Sequence, residues 1–360
     1  MTNPLHKLHQ LGQSLWLDNM TREMLQDGTL KGYIKELAVT GLTSNPTIFD
    51  SAIKSGVYDD SIHSKSATGL SSEALFFELA AEDLTRAADL FRPVHQATNH
   101  MDGWVSLEVS PVLAHDTGRT IEQVKSLHRQ LERPNLFIKI PGTPEGLPAI
   151  EEATFKGIPI NVTLLFSREQ YLAAAHAYQR GIERRIEKGL DPNVVSVASV
   201  FISRWDKAVQ DKVPAELRNR LGIAIAGRTY RAYRELLESH HSECLASAGA
   251  RHQRLLWAST GTKDPGASDV LYIEALAAPD TINTMPDATL LAFADHGKIR
   301  RVMPEDGGDA EAVLAEFEHA GIDISALADQ LQREGAEAFV KSWNELLERI
   351  TAKSEALAAS

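Results

Sequence analysis

The stretch Asn135-Leu136-Phe137-Ile138-Lys139-Ile140-Pro141-Gly142-Thr143-Pro144-Glu145-Gly146 carries a lysine near the end of a short apolar run, and a Pro/Gly-rich segment stops that run at once. In a parallel sheet both faces are covered, so a strand of this kind buries side chains of either parity. A buried ammonium must recover its lost hydration from partners or avoid the loss by shedding its proton. The neutral amine is a nucleophile, and the chemistry open to it is Schiff-base formation with a carbonyl. The same position also suits a lysine that snorkels to water or pairs with an acid. This segment alone leaves both readings open.

Outward from that lysine, short apolar runs alternate with longer stretches of helical period. The expected strands are Ser14 to Asn19, Ala38 to Ser44, Gly103 to Ser110, Asn135 to Pro141, Pro159 to Leu165, Val194 to Ile202, Arg254 to Ser259 and Asp280 to Thr284. Between them, apolar residues three and four apart predict helices over Ser71 to Ala97, with Glu73 placed to close a local cap, Thr120 to Leu131, Ser167 to Lys188, and Ser203 to Leu245 with a break near Val213-Pro214. Strands alternating with helices imply crossover connections and a parallel sheet. Eight such pairs favour a closed (β/α)8 TIM barrel over an open doubly wound sheet.

The 360 residues are 43% hydrophobic and 24% charged, ordinary values for a globular chain. A single barrel domain over residues 1–360 is expected, with a helical insertion at about 205–250 and terminal helices at about 305–358, because no Pro/Gly/Ser linker separates them. Residues 55–70, with four serines and two glycines, read as an exposed loop or short helix, and the tail from Ala352 is expected to fray. The net charge of −12 argues against nucleic acid or an anionic membrane as partner, yet permits one local basic pocket for a phosphate. The single cysteine, Cys244, excludes an internal disulfide and a cysteine-based zinc cluster and suits a reducing compartment. No apolar run reaches the roughly 18 residues of a membrane span, and the polar N-terminus is not a signal peptide. A cytoplasmic protein, monomeric or homodimeric, is expected.

The period of two separates the faces of each strand. Leu15 and Leu17 alternate with Trp16 and Asp18; Val105, Leu107 and Val109 with Trp104, Ser106 and Glu108; Leu136, Ile138 and Ile140 with Phe137 and Lys139; Ile160, Val162 and Leu164 with Asn161 and Thr163. The wholly aliphatic faces suit the helix layer and the mixed faces the barrel interior. Asp18, Glu108, Lys139, Asn161 and Thr163 are therefore expected to point inward near the carboxyl ends of their strands, where barrel enzymes keep their active sites. A satisfied buried polar network would leave the same pattern. A lysine with two carboxylates and small hydroxyl or amide residues is also what an amine-nucleophile enzyme needs: the amine forms a carbinolamine and then an imine, a carboxylate moves protons, and the protonated imine serves as electron sink. No metal or other cofactor is required.

A second cluster, Trp257-Ala258-Ser259-Thr260-Gly261-Thr262-Lys263-Asp264-Pro265, closes the seventh strand before a helix. Small residues, hydroxyls, a glycine and a lysine at such a turn fit phosphate capture by backbone N–H groups and one cation. They fit an ordinary turn and helix cap equally well. Arg204, just past the sixth strand, offers a second cation.

Thr43-Ser44-Asn45-Pro46-Thr47, Leu136-Phe137-Ile138-Lys139-Ile140-Pro141, Asn161-Val162-Thr163-Leu164-Leu165-Phe166-Ser167 and Ala258-Ser259-Thr260-Gly261-Thr262-Lys263 together closely resemble transaldolase, in order and spacing, over nearly the whole chain. The length and the last motif look like the longer bacterial branch of that family. The resemblance implies a barrel of the Schiff-base (class I) aldolase type and transfer of a dihydroxyacetone unit between sugar phosphates in the pentose phosphate pathway. It implies that Lys139 forms the imine, that Asp18 is the general base in C–C cleavage, and that Glu108 and Thr163 hold and activate the water of carbinolamine dehydration. Asn45, Asn161 and Ser199 resemble contacts to donor hydroxyls, with Thr43 supporting, while Arg204, Ser259 and Lys263 resemble a phosphate anchor. Two departures stand out: Lys263 replaces an arginine and falls two positions late, and Val200 follows Ser199 where the short form has proline. Phe201 matches the phenylalanine of transaldolases, where aldolases releasing free dihydroxyacetone carry a tyrosine, and a simple core aromatic would fit there too.

Other signals point elsewhere only weakly. His6 with His9, and His240-His241 with Cys244, lack metal-ligand spacing, since adjacent helical histidines diverge by about 100°. Glu305-Asp306-Gly307-Gly308-Asp309 lacks the spacing of a calcium loop. The competing classes are another imine-forming aldolase acting on fructose 6-phosphate, a metal-dependent aldolase or sugar-phosphate isomerase, and a non-catalytic sugar-phosphate sensor that keeps the barrel.

Overall fold

The computed structural model describes residues 3–44, 46–66 and 69–358. Eight strands close into a parallel barrel in chain order: β1 (Ser14–Leu17), β2 (Val39–Leu42), β3 (Trp104–Glu108), β4 (Leu136–Pro141), β5 (Ile160–Leu165), β6 (Ser196–Phe201), β7 (Arg254–Ala258) and β8 (Thr281–Met285). All eight fall on the expected stretches, and β8 runs one residue further, to Met285. Closure is explicit in the pairing of β1 with β8. This is the (β/α)8 fold that the alternation of patterns predicts.

The two faces of the strands divide as their periodicity requires, except at Leu164, which the irregularity in β5 turns from the aliphatic face into the second cluster. Leu15, Leu17, Val105, Leu107, Leu136, Ile138, Ile140, Ile160 and Val162 pack with helix residues in the larger core, whereas Trp16, Trp104, Phe137, Leu256 and Ile282 belong to a second cluster. Within the latter, Trp104 stacks on Phe137 at 4.1 Å between centroids. Trp16 lies opposite Gly41 in the register of β1 and β2, and a Cβ on Gly41 would meet the indole at 2.5 Å. Only glycine leaves that ring its place. Deeper in the barrel, Asp102 accepts from Trp16 Nε1 at 2.7 Å and from Ser14 Oγ, and Arg254 Nη2 donates to Ser14 Oγ at 2.7 Å. The aromatic layer and this polar plug fill the interior and separate the open space at the carboxyl ends of the strands from a second hollow at their amino ends, lined by His95, Trp104, Pro159 and Val195.

Three expectations need correction. Ser203 to Leu245 is not one helical stretch with a single break: it divides into Ser203–Val209, a 3-10 turn at Ala215–Leu217, Leu221–Leu237 and His240–Ser247. The breaks are held by tertiary and local caps that periodicity does not reveal. Asp206 accepts from the Leu221 and Gly222 amides at 2.9 and 3.1 Å, and Ser239 Oγ accepts from the Ser242 amide at 3.2 Å. The short helix expected as one alternative within residues 55–70 is present, at Asp59–Ser66. Glu73 closes no cap; Ser71 alone caps the Ser72–Ala97 helix, and Glu73 Oε1 accepts from Gln123 Nε2 at 3.1 Å. The tail does not fray at Ala352. The last helix, Ile324–Ala358, is tied to the Asp59–Ser66 helix by an ion pair between Lys353 and Asp59 and by His63 Nδ1 donating to Leu357 O at 3.1 Å.

A buried ion pair locks the segment after β1 to the long helix after β2. Arg22 Nε donates to Asp83 Oδ1 at 2.9 Å, Tyr58 O–H donates to Asp83 Oδ2 at 2.6 Å, and the guanidinium lies 4.2 Å from the Tyr58 ring centroid. Asp83→Ala is expected to lower unfolding stability by about 3 kcal/mol, because it strands a buried guanidinium that Glu82 neutralises from only one side. Urea denaturation with an unchanged slope would register this loss. A loss under about 1 kcal/mol, the worth of an exposed pair, would show that the pair contributes no more than a surface bridge does.

Candidate active site

Lys139 ends up indoors because Pro141-Gly142 terminates β4 two residues later, at the open end of the barrel. The register sets it level with Glu108 on β3 and Asn161 on β5. Its residue exposure is 6%, low enough that partners rather than bulk water must solvate the nitrogen. Nζ lies 3.1 Å from Glu108 Oε2 and donates to the carbonyl of Ser44 at 3.2 Å. Ser44 is itself fixed by its hydroxyl, which donates to Ser106 O at 2.9 Å. The contact with Glu108 is an ion pair by distance without the alignment of a hydrogen bond. Among the described residues no donor meets Glu108 Oε1, and Thr163 Oγ1 also lacks a partner. Two buried oxygens without partners, one on the carboxyl that faces Lys139 and one on a residue lining the same cavity, are costly to keep unless something else hydrogen-bonds to them during function.

Asp18 stands just past β1, its amide bonded to Met285 O at 2.8 Å. Thr43 Oγ1 donates to Asp18 Oδ1 at 2.9 Å and sits 2.9 Å from Thr284 Oγ1. Burial pushes the Asp18 carboxyl above its ordinary value, opposed by the nearby Lys139 charge, the Thr43 hydrogen bond and the cations Lys263 and Arg204. Burial likewise raises Glu108, against the pull of Lys139, and the Asp18 charge raises it further. Two carboxyls pushed up on either side of one amine are a proton-handling set.

Beside them runs a row of small polar groups: Asn161 Nδ2 donates to Ser106 Oγ at 3.1 Å, and Ser199 Oγ donates to Asn161 Oδ1 at 2.7 Å. Above this row a cavity of about 390 Å³ opens, large enough for a sugar phosphate. Asp18, Thr43, Lys139, Thr163, Ser199, Phe201, Arg204, Ser259 and Lys263 all line it. Glu108 and Asn161 stand behind its wall, and Asn45 lies outside the described residues.

One end of the cavity is cationic. The Arg204 guanidinium lies over the Phe201 ring at 5.1 Å and the Phe339 ring at 5.8 Å, and among the described residues no carboxylate comes within ion-pair distance of it. Burial lowers its pKa, against the opposing pull of Asp18 and Glu108. Ser259 holds a left-handed backbone, φ 55°, that fixes the turn after β7, and its hydroxyl meets Ser203 Oγ at 2.9 Å. Lys263 sits exposed on the rim. The expectation of a helix N-terminus at this turn is corrected: the next helix, Leu271–Ala275, starts well beyond it. The intervening chain closes on itself instead, with Asp264 accepting from the Gly266 amide at 2.8 Å and from Asn219 Nδ2 at 2.7 Å. Side-chain cations, rather than a helix end, make this part of the cavity positive.

Several lining residues went unread in the sequence. Thr284 shares a face with Ile282 on β8, so the period of two could have found it. Asn19 directly follows Asp18 and lines the mouth beside it. Phe339 comes from the C-terminal helix and carries no sequence signal beyond ordinary helical spacing.

Comparison with known proteins points to one family. A family model described as Transaldolase/Fructose-6-phosphate aldolase matches residues 15–350. A protein named Transaldolase from Thermobifida fusca is 45% identical over 97% of this chain and 98% of its own length. Another of that name from Acidothermus cellulolyticus is 44% identical over 99% and 98%, and Transaldolase 2 from a Nostoc species is 39% identical over 99% and 98%.

Proposed function

The chain belongs to the transaldolase/fructose-6-phosphate aldolase family, and we propose that it carries out its transferase reaction on Lys139. A dihydroxyacetone unit passes from sedoheptulose 7-phosphate to glyceraldehyde 3-phosphate, giving erythrose 4-phosphate and fructose 6-phosphate, reversibly, in the pentose phosphate pathway. The amine of Lys139 adds to the donor's C2 carbonyl to give a carbinolamine, which loses water to become an imine. Asp18 then takes the proton from the C4 hydroxyl as the C3–C4 bond breaks, and its electron pair flows into the iminium. The aldose phosphate leaves, and the enamine waits on the lysine until the acceptor aldehyde arrives and the steps reverse. Glu108 and Thr163 hold the water lost in dehydration and used again in release; the two partnerless oxygens described above support that role. Thr43, Asn45, Asn161 and Ser199 meet donor hydroxyls, and Arg204, Ser259 and Lys263 bind phosphate. Phe201 offers no hydroxyl to help water attack the imine, which favours retention of the intermediate.

The observation that carries this reading is the buried Lys139 nitrogen, 3.1 Å from Glu108 and opening on the same cavity as Asp18. Borohydride reduction with fructose 6-phosphate is expected to inactivate the enzyme and add one dihydroxyacetone-derived mass to the peptide holding Lys139. With no acceptor aldehyde, free dihydroxyacetone should form far more slowly than transfer proceeds with one present. Rapid free release would favour the aldolase branch of the family, and chelator-sensitive activity without an adduct would overturn the imine altogether.

Among the described residues, no helix is long and apolar enough to cross a membrane. The single, exposed cysteine fits a reducing cytoplasm. We read residues 1–360 as one barrel domain, with residues 205–250 and 305–358 as its helical additions, working as a monomer or homodimer.

A further inference from the structure

The Arg204 guanidinium is short of one thing a partly buried cation needs. Among the described residues it has no carboxylate within ion-pair distance, and two aromatic rings, Phe201 and Phe339, take that place. Phe201 follows from β6 itself, but Phe339 is delivered by the Ile324–Ala358 helix, whose approach to the barrel mouth is fixed in detail. Gln332 Nε2 donates both of its hydrogens, to Gly142 O at 3.0 Å and to Leu164 O at 2.9 Å. These carbonyls lie just beyond β4 and at the irregularity in β5, where Leu164 takes φ 58° and its carbonyl leaves the ladder. One amide therefore pins the helix to the two strands that carry Lys139 and Thr163. Gly335, on the same helix face as Gln332 and Phe339, lets the guanidinium lie close: a Cβ there would sit 3.3 Å from Arg204 Nη1 and 3.0 Å from Leu164 Cδ2.

Resting on the phosphate role given above to Arg204, we infer that Phe339 is a positioning residue that sets the guanidinium for the substrate phosphate, so that the C-terminal helix builds one side of the phosphate pocket. A guanidinium held over rings keeps its in-plane N–H donors free for an oxyanion, whereas a carboxylate partner would consume them. Phe339 is also only half-buried and lines the cavity, unlike the fully buried Trp343 of the same helix.

The test uses the full chain. In Phe339→Ala, the KM for fructose 6-phosphate and the inhibition constant for inorganic phosphate should each rise about tenfold, or about 1.4 kcal/mol, while kcat changes by less than about twofold. Phe339→Tyr should restore both constants, and Phe339→Leu, which fills the space without a π face, should not. Gly335→Ala should raise the same two constants by crowding Nη1. Borohydride trapping with dihydroxyacetone, which has no phosphate, should proceed in Phe339→Ala at the parent's rate. The inference is overturned if leucine rescues as well as tyrosine, if phosphate inhibition does not move, or if dihydroxyacetone trapping falls in parallel with the KM change. A parent enzyme that borohydride traps with neither fructose 6-phosphate nor dihydroxyacetone would defeat the imine reading instead, leaving the phosphate constants to judge Phe339.

Discussion

Lys139→Ala is expected to lower turnover by a factor on the order of 10⁴ or more and to abolish borohydride trapping, because among the described residues no other amine stands within the cavity at the level of Glu108. Lys139→Arg should lose as much, although it keeps the positive charge, since a guanidinium does not form the imine. That pair of variants separates covalent chemistry from electrostatics: an arginine enzyme within tenfold of the parent would mean that the charge alone matters. The fold should survive the alanine variant. Removing one partner of a buried pair costs about 3–5 kcal/mol when the other stays charged, but Glu108 has a second course. Its carboxyl is already raised by burial, with Lys139 the main opposing influence, so in the variant it takes up a proton. A folded-state pKa raised above the unfolded value means that the native state binds more protons than the unfolded chain does, and stability falls as pH rises. The deficit of Lys139→Ala against the parent should therefore be small below about pH 4, the ordinary glutamate value, and grow above it. A pH-independent deficit would show that Glu108 stays ionised without its lysine.

How far these residues could be read from the chain depends on which physical signal marked them. The barrel was legible because eight short apolar runs, four of them with a clear period of two, alternate with longer stretches of helical period. Lys139, Glu108, Asn161 and Thr163 followed from that same alternation, since a polar residue on the inner face of a strand must lie at the mouth or be satisfied in the core. Their level register, Glu108 beside Lys139 beside Asn161, is set by the pairing of neighbouring strands and is not written in any one of them. The phosphate end was harder. Arg204 and Lys263 are ordinary cations in sequence, and what distinguishes Arg204 is that among the described residues no carboxylate reaches ion-pair distance of it, while two rings arrive from different parts of the chain. Long-range contacts of this kind, like the Asp206 cap that breaks the helical stretch after β6, have no local pattern. Gln332 shows the same limit: a polar residue on a long helix reads as solvated until the irregular β5 supplies the carbonyl that it satisfies.

Asp18→Asn isolates the second chemical step. Asparagine retains the Oδ1 acceptor that Thr43 holds, so the pocket should keep its shape and Lys139 its access to the donor carbonyl. Imine trapping should persist within a few-fold of the parent, while C–C cleavage slows by roughly 10²–10⁴, the worth of a positioned general base. The pH profile sharpens the test. As a base Asp18 must be ionised, and burial raises its pKa, so kcat/KM of the parent should fall on acidification through a limb lying above the ordinary aspartate value of about 3.9. Asp18 and Glu108 also sense each other, the aspartate charge raising the glutamate, so the limb belongs to the pair rather than to one residue. Removing the aspartate charge relieves Glu108, and whatever acid limb remains in Asp18→Asn should move to lower pH. The assignment predicts slow cleavage, retained trapping and a downward-shifted limb together. Equal loss of trapping and cleavage would instead place Asp18 in imine formation, and an unmoved limb would mean that the acid dependence arises from neither carboxyl.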